Sequence, residues 1–260
     1  MKNSEYNDNK ILNKLRCPSC LSGSFELKDT YAECKNCKKK YSTKEDIINF
    51  YDSMDEAEII ASSQPGLFEN QKLYEFINFT ILGLIKIRKD IDVNQYIQNK
   101  EVLDIGCGPK PYFYNPKLTS FHTGVDISIN FLNRISKILP DSHFMKASAD
   151  KLPFADNSFD VVLFLFTLHH IPIDHSRLIR EAFRVTRERI IVFDHNQSAG
   201  GLRKILKGIW WKFKDKGVQY NNQEEWNEIL KNYFIENKRV PGKFLENIFE
   251  FIILKKEQVN

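Results

Sequence analysis

Two close pairs of cysteines and one short glycine turn are the residues of this chain whose types and spacing can do chemistry. Cys17-x-x-Cys20 and Cys34-x-x-Cys37 stand thirteen residues apart. Two such turns can place four thiolates on a tetrahedron about 2.3 Å from a zinc ion. A closed four-thiolate site leaves no open coordination position, so such a metal holds structure and performs no reaction. A disulfide framework suits exported chains, and the polar first ten residues have no apolar run behind them to act as a signal peptide. The spacing therefore predicts a structural zinc ribbon held by Cys17, Cys20, Cys34 and Cys37. Lys35, Lys38, Lys39 and Lys40 read as a solvated face that offsets the charge of the thiolates, with nucleic-acid contact as the alternative.

The second feature is "DIGCGPKPY" at residues 104–112. Glycines at 106 and 108 let backbone approach a bulky ligand and expose N–H groups to its anionic part. Asp126 follows twenty residues after Gly106, where a carboxylate at a strand end can accept both hydroxyls of an adenosine ribose. A dinucleotide fingerprint calls for a third glycine at position 111, and proline stands there. Pro111 restrains Lys110 from helical geometry and itself suits the first turn of a following helix, so the lysine is expected to point outward. Cys107, inside the turn, reads as a small packing residue.

These residues need elements to position them, and the hydrophobic pattern supplies alternating strands and helices. Strands are expected over 101–105, 121–127, 143–147, 159–166 and 189–195. The run "FDVVLFLF" is apolar throughout, as for a strand buried on both faces. Helices are expected over 128–139 and 175–186, and "EEWNEILKNY", "FIENKRV" and "FEFIILKK" predict a helix and an antiparallel strand pair at the end. The fold class is α/β, a doubly wound, mostly parallel sheet with an antiparallel edge. In such sheets ligands bind beyond the carboxyl ends of the strands where the order reverses, which brings the glycine turn and Asp126 together. Within the ribbon, two short strands flank Lys28-Asp29, and residues 41–52 close it. A helical segment is expected from Asp55 to about Gln98, broken at Pro65-Gly66. The chain thus divides into a ribbon (1–52), a helical linker or cap (53–99) and an α/β domain (100–260).

"VLDIGCGP", "GVDIS", "LPFADNSFDVV" and "LHH" resemble the class I S-adenosylmethionine-dependent methyltransferases of the type 11 branch. The likeness is strong over about 100–195 and continues in layout to the C-terminus. It implies a Rossmann-like sheet of seven strands and S-adenosyl-L-methionine as cofactor. Carried over by position, Gly106 and Gly108 flank the methionine part and Asp104 sits behind them near its amino group. Asp126 takes the ribose hydroxyls, Ile127 packs on the adenine, Ala149 offers backbone to the adenine edge, and Phe164 and Leu165 line the methionine side. Two positions depart from the family: Lys110 and Ser148 replace its usual glycine and aspartate, with Asp150 or the serine itself serving in the aspartate's place. A base is needed only where the acceptor must lose a proton. His169, His170 and His195 follow strand ends and are the candidates, the alternative being structural or pocket-lining roles; His122, His143 and His175 read as ordinary surface or strand residues.

The rest narrows partners and setting. A net charge of +4 permits an acidic partner without demanding one. Residues 202–216 form a basic amphipathic pattern, read as a lid over the site or as a contact with a membrane surface or anionic substrate. The apolar stretch 76–87 is shorter than the ~20 residues a spanning helix needs, and the expected location is cytoplasmic. The leading expectation is a methyltransferase acting on a small, lipid-like or sugar-linked molecule. The alternatives are ribosomal RNA base methylation with the ribbon gripping RNA, a pattern whose ribbon closes with a histidine where this chain has cysteine, and a non-catalytic cofactor-binding partner protein.

Overall fold

A computed structural model describes residues 10–51, 92–195, 218–238 and 249–255. The ribbon is a meander of four strands: β1 (Phe25–Leu27), β2 (Tyr31–Cys34), β3 (Lys40–Lys44) and β4 (Ile47–Asn49), each antiparallel to the next. The α/β domain contributes β5 (Glu101–Ile105), β6 (Phe121–Asp126), β7 (His143–Lys146), β8 (Phe159–Leu165), β9 (Thr186–His195), β10 (Phe234–Lys238) and β11 (Phe249–Lys255). Its order, β7-β6-β5-β8-β9-β11-β10, is parallel from β7 to β9 and antiparallel at β11 and β10. This is the mostly parallel, seven-stranded α/β sheet expected, with the switch in winding between β5 and β8.

One feature of the sheet goes beyond that expectation. β4 pairs in parallel with β7, Ile48 opposite Met145 and Asn49 opposite Lys146, so the strands of the ribbon and of the α/β domain form one eleven-stranded ladder. The ribbon covers an edge that would otherwise present unpaired backbone groups. Its side chains join the same core: Phe25, Tyr41 and Phe50 stack with ring centroids 4.7–6.1 Å apart and pack continuously with Leu103, Val125 and Met145.

The strands are buried on both faces, as the unbroken apolar run in β8 required. Val102, Val161, Leu163 and Ile191 pack on one side, Leu103, Val162, Phe164 and Val192 on the other. Three helices and one short turn cover these faces: α1 (Asn94–Ile97), α2 (Ile129–Ile138), α3 (His175–Val185) and α4 (Gln223–Leu230). Ser128 caps α2 by accepting from the Phe131 N–H, Asp174 caps α3 through Ser176, and Asn222 with Glu225 forms a capping box on α4. α2 buries Leu132 and Ile135 against Cys107 and Phe144, which bears out the packing role of Cys107.

The helix expected to begin at Pro111 does not form. Residues 109–115 run as turn and bend, and the first regular element is a 3-10 turn at Pro116–Leu118. Pro109, Pro111 and Pro116 each lack an amide donor and hold the preceding residue in extended geometry, so no helical turn can accumulate between them. The helix expected over 55–98 lies outside the described residues except for α1, and residues 202–216 lie wholly outside them. Among the described residues no helix is long and apolar enough to cross a membrane.

Candidate functional site

The parallel strands deliver their ends to one rim. Beyond β5 the chain turns through Gly106 and Gly108, both in the left-handed region with φ of +69° and +60°. Gly106 has no room for a side chain: a Cβ there would stand 2.1 Å from Thr167 Cγ2. Gly108 differs, because among the described residues nothing lies within 4 Å of where its Cβ would be. The first glycine is thus demanded by packing against β8's exit, and the second by backbone conformation at an open rim.

Asp126 ends β6 half-buried beside this turn. Its two oxygens accept the N–H of Gly108 at 3.0 Å and of Ser128 at 2.8 Å, which locks strand end and glycine turn together. Burial raises its carboxyl above the ordinary range, with the backbone donors pulling it back. Ile127 beside it is half-buried. Beyond β7, Ser148 and Ala149 are buried, and Ser148 donates its hydroxyl to Asp150. The other oxygen of Asp150 takes Arg177 of α3 at 2.8 Å, so its carboxylate is already engaged and the Ser148 oxygen is the freer acceptor at this edge.

At the end of β8 the chain bends sharply. Phe166 adopts a left-handed φ of +57°, strained for a bulky residue and of the kind that accumulates at functional rims. Its ring lies 4.9 Å from Phe113 and 4.5 Å from Phe193, forming an aromatic wall next to the Gly106–Thr167 contact. Leu165 is half-buried there, whereas Phe164 is wholly enclosed in the core and reaches the rim only through its backbone. A 3-10 turn follows at Leu168–His170.

The histidines separate clearly. His169 is 2% exposed; Asp194 at the end of β9 accepts from its Nδ1 at 2.5 Å and from its own backbone N–H at 3.1 Å. Tyr220 stacks on its ring at 5.5 Å, and the Val218 and Gln219 N–H groups bond to its carbonyl. His170 is half-buried with its ring 4.0 Å from that of His169. His195 ends β9, and its side chain lies outside the described residues. Two others were read as surface or strand residues: His175 is neither, and His122 is a buried strand residue. His175 is 1% exposed, accepts from Asn221 at Nδ1 and donates to the Leu168 carbonyl at 2.8 Å, so it is a tie beneath the turn. His122, 4% exposed in β6, lies 2.8 Å from the Tyr114 hydroxyl.

Behind the glycine turn Asp104 is buried and accepts from the Tyr114 hydroxyl at 2.6 Å. Burial pushes its carboxyl up to about 7, against the pull of that hydrogen bond. Lys110 stands on the rim with its ammonium 5.7 Å from the Tyr112 ring centroid. Thr167, Tyr114, Asp194 and Arg177 had no signal in the sequence, because each joins the site from a segment whose pairing only the fold reveals.

In the N-terminal ribbon the four cysteine sulfurs lie within 4.8 Å of one another. Cys17 and Cys37 are 3.7 Å apart and Cys20 and Cys34 3.5 Å, close to the ~3.8 Å between ligands of a tetrahedral zinc–sulfur site. The two turns match: Leu21 and Lys38 both take left-handed φ and donate to the carbonyls of Cys17 and Cys34. The Tyr41 hydroxyl lies 3.1 Å from Cys17 Sγ, a donor suited to a thiolate. The cluster is compatible with a zinc ribbon.

Comparison with known proteins agrees with this geometry. Residues 103–193 match the family model described as methyltransferase domain. The chain is 28% identical over 143 residues to a demethylmenaquinone methyltransferase of Staphylococcus epidermidis, covering 51% of this chain and 59% of that one. It is 34% identical over 97 residues to the phthiotriol/phenolphthiotriol dimycocerosates methyltransferase 1 of Mycobacterium ulcerans, covering 35% of each. A solved S-adenosylmethionine-dependent methyltransferase of Thermotoga maritima superposes with a TM-score of 0.53 at 20% identity, covering 73% of this chain and 97% of that one. The matches thus span only part of the curated relatives' lengths. Residues 103–193 are thus similar to a methyltransferase domain, and the fold is that of the S-adenosylmethionine-dependent methyltransferases.

Proposed function

We propose that this protein transfers a methyl group from S-adenosylmethionine to a small, largely apolar acceptor. The residues fit the cofactor: an open backbone cradle at Gly108, a carboxylate at the end of β6 and a polar edge after β7. Gly106 and Gly108 would receive its methionine end, with Asp104 behind them, and Asp126 would exchange one backbone donor for the ribose hydroxyls. Ile127 would pack on the adenine, with Ala149 and the Ser148 oxygen at its edge. The bound cofactor supplies an electrophilic methyl on a sulfonium. The chain's own part is positioning, since direct displacement requires the acceptor atom in line with that methyl.

The acceptor class is supported by one observation, the half-buried rings of Phe113 and Phe166 beside Thr167, backed by the enclosed ring of Phe193. A strained Phe166 held against two other rings gives an apolar acceptor a surface to lie on. The relatives named for demethylmenaquinone and for phthiotriol dimycocerosates point the same way. Where the acceptor must lose a proton, His170 is the more accessible candidate among the described side chains, since His169 is enclosed and held by Asp194, and His195 stays a candidate outside them. The four cysteines would hold a structural zinc ion.

The reading is tested by incubating the protein with cell extract and methyl-labelled cofactor, then separating organic-soluble material from RNA. Label is expected in the organic-soluble fraction and to survive nuclease. Label lost to nuclease would move the function to RNA. No binding of S-adenosylhomocysteine by calorimetry would leave a non-catalytic module.

A further inference from the structure

Beneath the glycine turn lies a chain of three buried groups that the methyl-transfer chemistry does not by itself require. Asp104 Oδ2 takes the Tyr114 hydroxyl at 2.6 Å, and the same hydroxyl lies 2.8 Å from His122 Nε2. All three side chains are nearly enclosed, at 3%, 5% and 4% exposure. Tyr114 is delivered by the proline-bound loop that replaces the missing helix after β5, so the departure at 109–116 has a structural product.

The protons in this chain have a preferred arrangement. Tyr114 owns one hydrogen and has two neighbours. His122 Nδ1 is buried with no hydrogen-bond partner among the described residues, and burial depresses the imidazole to about 4, so the ring is neutral. A neutral ring carries one proton. Placed on Nδ1, it would be a buried donor without an acceptor; placed on Nε2, it bonds to the tyrosine oxygen and leaves only a lone pair unmatched. Orphaned buried N–H groups are the rarer and costlier case. With Nε2 as the donor, the tyrosine's single hydrogen is committed to Asp104. A protonated Asp104 bonding to the tyrosine would reverse both bonds and force the imidazole proton onto Nδ1. A proton on Asp104 Oδ1 would have no acceptor among the described residues, since only Oδ2 is bonded.

We propose that Tyr114 and His122 are positioning residues that hold Asp104 as a carboxylate, with Oδ1 presented to the ammonium of the cofactor's methionine end. The proposal deepens the methyl-donor reading and rests on it for the identity of the ligand. The chain works against burial and the charge of Asp126, both of which favour the neutral acid. The remaining titratable groups facing it are Cys107 and Tyr114, held protonated by burial, and His143, whose proximity disfavours charge on His122. Among the described residues no cation of the chain is bonded to Asp104, which leaves Oδ1 open to a cationic ligand.

Two measurements on the full chain test this. In the ligand-free protein, the Asp104 carboxyl followed by carbon NMR should titrate at least one pH unit higher in Tyr114→Phe than in wild type, and His122→Leu should shift it in the same direction by less. Calorimetry with S-adenosylhomocysteine should then show about tenfold weaker binding of Tyr114→Phe at pH 7, with the two proteins converging above pH 8.5. In an Asp104→Asn background the Tyr114→Phe change should have no further pH-dependent effect. A loss of affinity equal at every pH, or an unmoved Asp104 titration in both variants, would overturn the proposal. Should wild type bind no cofactor while the Asp104 midpoint still moves, the donor reading fails and the proton chain stands.

Discussion

At the scale of single residues, the site divides side chains into those that need their chemistry and those that need only to be absent. Asp126 belongs to the first group. Its oxygens bond the Gly108 and Ser128 amides, and a charged acceptor of this kind is worth about 1.5–3 kcal/mol. Asp126→Ala is therefore expected to weaken S-adenosylhomocysteine binding from about tenfold to a hundredfold; unchanged affinity by calorimetry would place the ribose elsewhere. Lys110 belongs to the second. Its ammonium lies over the Tyr112 ring, and Pro109 and Pro111 shape the backbone on either side. A cationic sulfonium repels it. Lys110→Gly is expected to keep cofactor affinity within a few-fold of wild type while costing about 0.4–1 kcal/mol of stability through the freer unfolded chain. A loss above about tenfold, partly erased by salt, would make the lysine a ligand for the methionine carboxylate.

At the scale of elements, the N-terminal ends of β5, β8 and β9 are joined to the first turn of the described chain by a network around Glu101. Its carboxylate takes Lys10 and Lys14, each at 2.7 Å, and Arg187, which also bonds Asp160. Burial pushes Glu101 upward, but the three cations more than offset it and hold the carboxyl at about 2. A depressed carboxyl stabilises the fold above its unfolded value of about 4.3, and that contribution is lost as pH falls toward 2. Glu101→Gln should thus destabilise the protein by about 2 kcal/mol at pH 7, since it also leaves the buried Lys14 without its counter-charge. Denaturation followed by circular dichroism should show the gap between variant and wild type narrowing between pH 4 and pH 2. A gap that is constant across that range would assign the loss to packing.

At the scale of the whole molecule, ribbon and catalytic sheet are one body through the β4–β7 pairing and the bond from the Phe50 N–H to the Lys146 carbonyl. The strand so joined leads directly into Ser148 and Ala149 at the site's edge. Purified protein is expected to carry about one zinc ion per chain, and Cys34→Ser to release it. Loss of the metal should then loosen more than the ribbon. Amide exchange should quicken at Ile48 and Phe50, while Val162 and Leu163 at the centre of the sheet stay protected. A metal-free ribbon with unchanged exchange would show that the aromatic packing of Phe25, Tyr41 and Phe50 suffices alone.

How much of this was legible in sequence follows from the range over which each signal acts. Strand β8 announced itself by an unbroken apolar run, the ribbon by cysteine spacing, and the glycine turn and Asp126 by their distance along the chain, because each depends on neighbours within a few residues or on one βαβ repeat. The pairing of Asp194 with His169, of Thr167 with Gly106 and of Arg177 with Asp150 joins segments 25, 61 and 27 residues apart through the sheet, and no local pattern encodes such distances. A helix was expected to open at Pro111, and only the fold shows that the three prolines replace it with a loop that carries Tyr114 under Asp104. Sequence by itself determined the alternation of strands and helices, the turn chemistry and the ligand-bearing residue types. Tertiary structure decided which histidine is enclosed, which carboxylate is engaged and that the ribbon extends the catalytic sheet, because burial and edge pairing are properties of the assembled layers and of no segment alone.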